Sequence, residues 1–384
     1  MGPFIQTLAS SQDLLLSTEV TLIRGHVSDR TVPVGFEPMK KSLLGFTAAF
    51  LVFTSLHSAA ADNPVPEIWM FAGPYVEHPA PGWEDVRRDM RNVWNVDAPW
   101  KTVSGAVSVI QFPPTSVDRA SGSDLRQAVS DIKRRNITFA IGTGLLIRSD
   151  RCRAKTEAYV DLRALEGLLD KLRRNGADVK YVTMDEPFYF GHKDSSPTAC
   201  HESAQTLASA LTQGIAVVRK YFPNAKIGTD EVVTKDRAWV DELVAWVDTY
   251  QQITGEKLAY LHADVSWKPE GVQNLVPLSR ALKGRGIPFG ITYDAAAKGD
   301  QPWFDPNSVS NSDIGWVQNA VSHYTEVESD LGIHPDHAVL STWVHYPTRM
   351  LPETEPGTFT NLVYQYVQWH KCDGPKRFRG PTCS

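Results

Sequence analysis

The chain has 384 residues, 42% of them apolar and 22% charged, with a formal net charge of −5. That balance describes a packed globular protein and excludes a collagen-like or disordered chain. No basic excess marks nucleic acid or an anionic membrane as a partner. The eleven Trp suggest a surface that stacks flat, partly apolar ligands, beside an aromatic core.

Residues 1–38 lack clear periodicity and are expected to be an upstream extension outside the fold. Residues 39–61 have the order of a secretory signal peptide. Lys40 and Lys41 supply the basic start, 43–56 is apolar, and Ala59-Ala60-Ala61 offers small residues for cleavage before Asp62. The apolar run is shorter than the roughly 20 residues a membrane span needs. Cleavage there predicts a secreted or periplasmic protein with no membrane contact afterwards; an uncleaved anchor is the alternative.

From Asp62 onward, short runs of β-branched and aromatic residues alternate with stretches of helical period. The predicted strands are 68–71, 106–112, 137–141, 179–186, 226–229, 258–265, 288–293 and 338–344. Helices are predicted between them at 83–94, 124–135, 162–174, 202–221, 237–250, 272–283 and 313–331, and a last one at 359–371. Eight strand–helix units in one direction favour a parallel sheet with right-handed crossovers, closed as a (β/α)8 TIM barrel. An open doubly wound sheet competes, but Ala72-Gly73-Pro74 after the first strand is not its phosphate loop. No linker divides 62–384, so a single domain is expected.

Four cysteines in an exported chain point to disulfides. In a barrel the loops after the third and fourth strands are neighbours. This favours Cys152–Cys200, and leaves Cys372–Cys383 to close a short terminal loop.

Active sites of such barrels lie at the C-terminal ends of the strands. There the sequence places Asp185 and Glu186 on strand four, with Tyr189 just beyond, and Glu231 beside Asp230 on strand five. Strand six carries His262 and Asp264 and leads to Trp267. Strand seven ends in Tyr293 and Asp294, with Trp303 on the loop after it, and strand eight carries Trp343. Acids at the tips of apolar strands, beside rings that hold sugars, point to glycoside hydrolysis. That reaction needs one carboxyl to protonate the leaving oxygen and a second as nucleophile or base. Nothing in the sequence asks for a cofactor, and the partner expected is a carbohydrate substrate.

The Asp185-Glu186-Pro187 tip resembles the Asn-Glu-Pro motif of the large clan of retaining (β/α)8 glycosidases. The resemblance implies that Glu186 is the acid and that the second carboxylate sits on strand seven, where this chain has Asp294 in place of a Glu. A Trp ending strand eight, here Trp343, also occurs in that clan. The remaining residues named above are then expected to bind substrate. The adjacent Asp185-Glu186 pair is also similar to that of hexosaminidases, in which the Asp orients the substrate's own acetamido group. A metal-dependent barrel using the same acids and His262, and a non-catalytic carbohydrate-binding barrel, are the remaining alternatives.

Overall fold

The computed structural model describes residues 65–80, 82–149, 154–196, 198–295 and 312–372. All of them belong to one unit, Asp62–Ser384. The expected signal peptide, Trp303, Cys152 and Cys383 lie outside the described residues. No described helix is long and apolar enough to cross a membrane.

Eight parallel strands close a barrel. They are β1 (Glu67–Phe71), β2 (Val107–Phe112), β3 (Thr138–Thr143), β4 (Val179–Asp185), β5 (Lys226–Val233), β6 (Leu261–Val265), β7 (Phe289–Tyr293) and β8 (His337–Leu340). Each pairs with its sequence neighbours, and β8 closes on β1. The long helices fall where periodicity predicts them: Gly122–Arg134, Leu162–Arg174, Ala204–Tyr221, Arg237–Thr254, Pro269–Gly284, Asp313–Thr325 and Phe359–Lys371. Ser121, Asp161, Ser203, Asp236, Ser312 and Thr358 cap six of them by accepting first-turn amide N–H bonds.

Several local expectations are corrected. Only Met90–Val93 is helical within 83–94, and Lys101–Ser104 adds an unforeseen turn of helix. A short helix, Pro114–Arg119, follows β2 directly, because proline at a first helical position sacrifices no hydrogen bond. A two-stranded pair, Leu146–Ile147 with Tyr159–Val160, decorates the loop after β3.

The barrel interior is packed with rings. Trp69 lies 5.0 Å from Tyr181, 5.0 Å from Tyr260 and 4.8 Å from His262, measured between ring centroids. His262 Nε2 is 3.0 Å from His337 Nδ1. Toward the C-terminal end, Thr183 Oγ1 donates to Gln111 Oε1 at 2.6 Å and lies 2.8 Å from the Tyr260 hydroxyl. The floor of the mouth is therefore solid and hydrogen-bonded. Outside the strands a second, larger apolar layer joins barrel to helices.

Candidate active site

Strand geometry decides which acids reach the mouth. Successive side chains of a strand point to opposite faces. Asp185 ends β4, and its register partner is Asp230 of β5; Asp264 lies on β6, and Asp294 directly follows β7. Glu186 takes one step beyond the strand with a left-handed φ of 50°. Its amide still donates to the Asp230 carbonyl at 3.0 Å, so the turn begins from a fixed point. Left-handed backbone is costly for a residue with a Cβ and concentrates at functional sites.

The carboxyls act on one another. Glu186 is only 7% exposed, and Asp264 is the carboxyl that bears on it most strongly. Burial, then the charges of Asp264, Glu157, Asp185 and Asp230, push Glu186 well above its ordinary range. Burial first, and the charges of Glu157 and Asp264 next, push Asp185 up to about 7. Asp230 is raised in the same way, and its Oδ1 is buried without a hydrogen bond. Burial also raises Asp264, and the neighbouring Glu186 partly offsets the rise.

Asp294 is held differently. It is 1% exposed, and its two oxygens accept the indole N–H bonds of Trp267 at 2.8 Å and Trp343 at 2.9 Å. Burial and the charge of Asp264 lift it to about 7, against the pull of those two donors. Trp343 keeps 39% of its surface exposed, leaving a ring face beside Asp294 at the mouth.

Four expected ligands of the substrate take other places. Glu231 is fully buried and accepts the amides of Phe188 and Tyr189, each at 3.0 Å. It ties down the turn after β4, and burial lifts it to about 8 despite these donors. The reason is that β5 continues to Val233, so Asp230 and Glu231 are not loop neighbours but opposite faces of one strand. Tyr293 likewise points out of the barrel, where its hydroxyl donates to buried Glu328 at 2.9 Å. His262 belongs to the interior ring cluster, 1% exposed, and burial holds its imidazole well below its ordinary range. Trp267 is 6% exposed, with one face covered by His323 at a centroid distance of 3.9 Å; it serves Asp294 by its edge. Tyr189 stays half-buried in the turn after Glu186, packed edge-on to Trp239.

Two residues join the site that the sequence did not single out. Glu157, before the second strand of the decorating pair, keeps open surface yet acts electrostatically on Asp185 and Glu186. It lies in a loop without periodicity, so no sequence signal aimed it. His323 on helix Asp313–Thr325 lies 2.7 Å from the Asp294 carbonyl oxygen. Among the described residues, no group of three or more His, Cys, Asp or Glu is arranged to hold a metal ion. His262, the imidazole expected of a metal-dependent barrel, is turned instead toward His337.

No protein-family model matches the chain, and no curated protein matches its sequence. Solved structures similar to it include fungal β-1,4-galactanases, with 11% identity over 72% of this chain and 90% of that chain, at a TM-score of 0.47. A xylanase from Paenibacillus barcinonensis, complexed with a conduramine derivative, has 10% identity over 78% of this chain and 95% of that chain, at a TM-score of 0.48. The GH53 catalytic domain of Ignisphaera aggregans has 13% identity over 71% of this chain and 89% of that chain, at a TM-score of 0.42. At these values the likeness reaches no further than the barrel.

Proposed function

We propose that this chain is a secreted or periplasmic glycoside hydrolase that cleaves O-glycosidic bonds of an oligo- or polysaccharide. The observation that carries the proposal is Glu186, buried on a left-handed turn among other carboxyls at the barrel mouth that also holds the indole-clamped Asp294. A general acid must keep its proton near neutral pH, and burial among carboxylates keeps it there. Glu186 protonates the leaving oxygen, and Asp294 attacks the anomeric carbon or activates a water. The exposed face of Trp343 supports a sugar ring next to Asp294. Export rests on residues 39–61.

The substrate-assisted reading is the second one. It is favoured by Asp294 already having both oxygens bonded to indoles, with Asp185 half-buried beside Glu186. There Asp185 orients an acetamido group and Glu186 remains the acid.

A glycan panel with product stereochemistry by NMR tests the class. Glu186→Gln is expected to keep the fold and lose about 10²–10⁴-fold in turnover of natural glycans. An aryl glycoside with a good leaving group needs little protonation and is expected to lose far less. Wild-type turnover of natural glycans by Glu186→Gln refutes the assignment. Asp294→Asn is expected to damage both substrates alike. If it is harmless while Asp185→Asn is crippling, the substrate-assisted mechanism replaces the first.

A further inference from the structure

We infer that His323, out of reach of substrate, is a positioning residue that fixes both the main chain and the carboxylate of Asp294. The inference rests on the proposed role of Asp294 as second carboxylate.

The ladder of β7 gives out just where precision is needed. Ser341 N–H still donates to the Tyr293 carbonyl at 3.3 Å, but Asp294 lies past the end of the strand. Its carbonyl is taken up instead by His323, whose Nδ1 lies 2.7 Å away. A carbonyl oxygen only accepts, so Nδ1 carries the hydrogen and donates. Trp316, earlier on the same helix, donates its indole N–H to the carbonyl of Ala295. Helix Asp313–Thr325 thus holds two consecutive carbonyls of the segment that leaves β7.

The same imidazole reaches the carboxylate through a second path. Its ring lies flat on the Trp267 indole, with centroids 3.9 Å apart and planes at 9°. Trp267 Nε1 donates to Asp294 Oδ1 at 2.8 Å, and Trp343 Nε1 holds Oδ2 at 2.9 Å. His323 therefore backs one jaw of a clamp whose other jaw is Trp343. The imidazole is 5% exposed, and burial drives it down to about 4, so it is neutral at the pH where Asp294 works. It contributes direction and packing without adding a cation beside the carboxylate.

Two variants separate the two paths. His323→Phe keeps a ring against Trp267 and loses the donor; His323→Asn keeps an amide donor and loses the ring. In the wild type the Nε1–H resonances of Trp267 and Trp343 are expected to titrate together in the NMR spectrum, reporting the ionisation of Asp294. Trp267→Phe removes a donor to the carboxylate and is expected to move the Trp343 midpoint up in pH. His323→Phe is expected to move both midpoints and lower kcat on the order of 10²-fold, as small misplacements of catalytic groups do, with little change in KM. His323→Asn is expected to restore part of kcat. If His323→Phe keeps wild-type kcat and unmoved indole titrations while only its Tm falls, His323 is merely structural and the inference is overturned. Should His323→Phe not fold, unmoved indole titrations in His323→Asn and an unmoved Trp343 midpoint in Trp267→Phe overturn it equally. If the wild type cleaves no glycan, the glycosidase proposal fails, and the indole titrations still decide whether His323 governs Asp294.

Discussion

Asp230 and Glu231 are neighbours in sequence but differ in task, because one strand residue separates the barrel interior from the helical layer. Asp230 joins the acids of the mouth, while Glu231 turns away and binds the Phe188 and Tyr189 amides. The sequence placed acids on the correct strands but could not assign their faces. That assignment depends on the strand's register, and a slip of one residue exchanges the faces. Glu231 is consequently expected to matter through backbone. In Glu231→Gln one carboxylate oxygen becomes an NH2 group, which cannot accept the N–H it meets. An unsatisfied buried donor costs about 1–3 kcal/mol. Urea unfolding should show that loss, together with a fall in kcat, because the turn it braces carries Glu186. Full stability in Glu231→Gln would mean that the two amides find other acceptors.

At the scale of elements, the eight-unit rhythm was legible because each strand and helix has its own hydrophobic period. The short elements were not, because their stability comes from distant partners. Helix Lys101–Ser104 is capped by Glu353, whose carboxylate accepts the Thr102 amide at 3.0 Å and the Val103 amide at 2.8 Å. A glutamate in a Pro-rich loop reads as a solvated residue, yet Glu353 is only 7% exposed. Inner-face glycines were equally silent in the sequence. Gly228 of β5 faces the Tyr260 ring, and Gly290 of β7 faces His262, each so closely that a Cβ would collide. Large rings from β6 and its approach fill the barrel only because those neighbouring strands present hydrogen there. Gly228→Ala is expected to overpack the interior and cost about 1–3 kcal/mol. Denaturant unfolding checks it, and a stable Gly228→Ala protein would show that Tyr260 has room to move.

Over the whole molecule, the crowded acids should set the pH dependence of stability in an unusual direction. Asp185 and Asp294 are raised to about 7 and Glu231 to about 8, while Glu186, Asp230 and Asp264 are also raised. Unfolded, the same carboxyls would release their protons near their ordinary values of 3.8 and 4.5. Above those values the folded protein thus holds carboxyl protons that the unfolded chain has lost. This stabilisation is complete below the unfolded values and is lost as pH rises through the folded ones. Three buried histidines oppose it on the acid side. His323 and His337 are lowered to about 4 and His262 well below its usual range, so their contribution disappears as pH falls below 6.5. Above about pH 6.5 those imidazoles are neutral in both states, and only the carboxyls still respond. Stability should therefore fall between about pH 6.5 and 8, by up to about 1.4 kcal/mol per pH unit for each carboxyl that keeps its proton in the fold alone. Calorimetric Tm values across that interval test this, and Asp294→Asn should flatten the decline because its amide has no proton to lose. A Tm that holds steady or rises across the interval would mean that the mouth is already ionised in the native state. Glu186 would then have no proton to donate, and its role as general acid would fall with the stability profile.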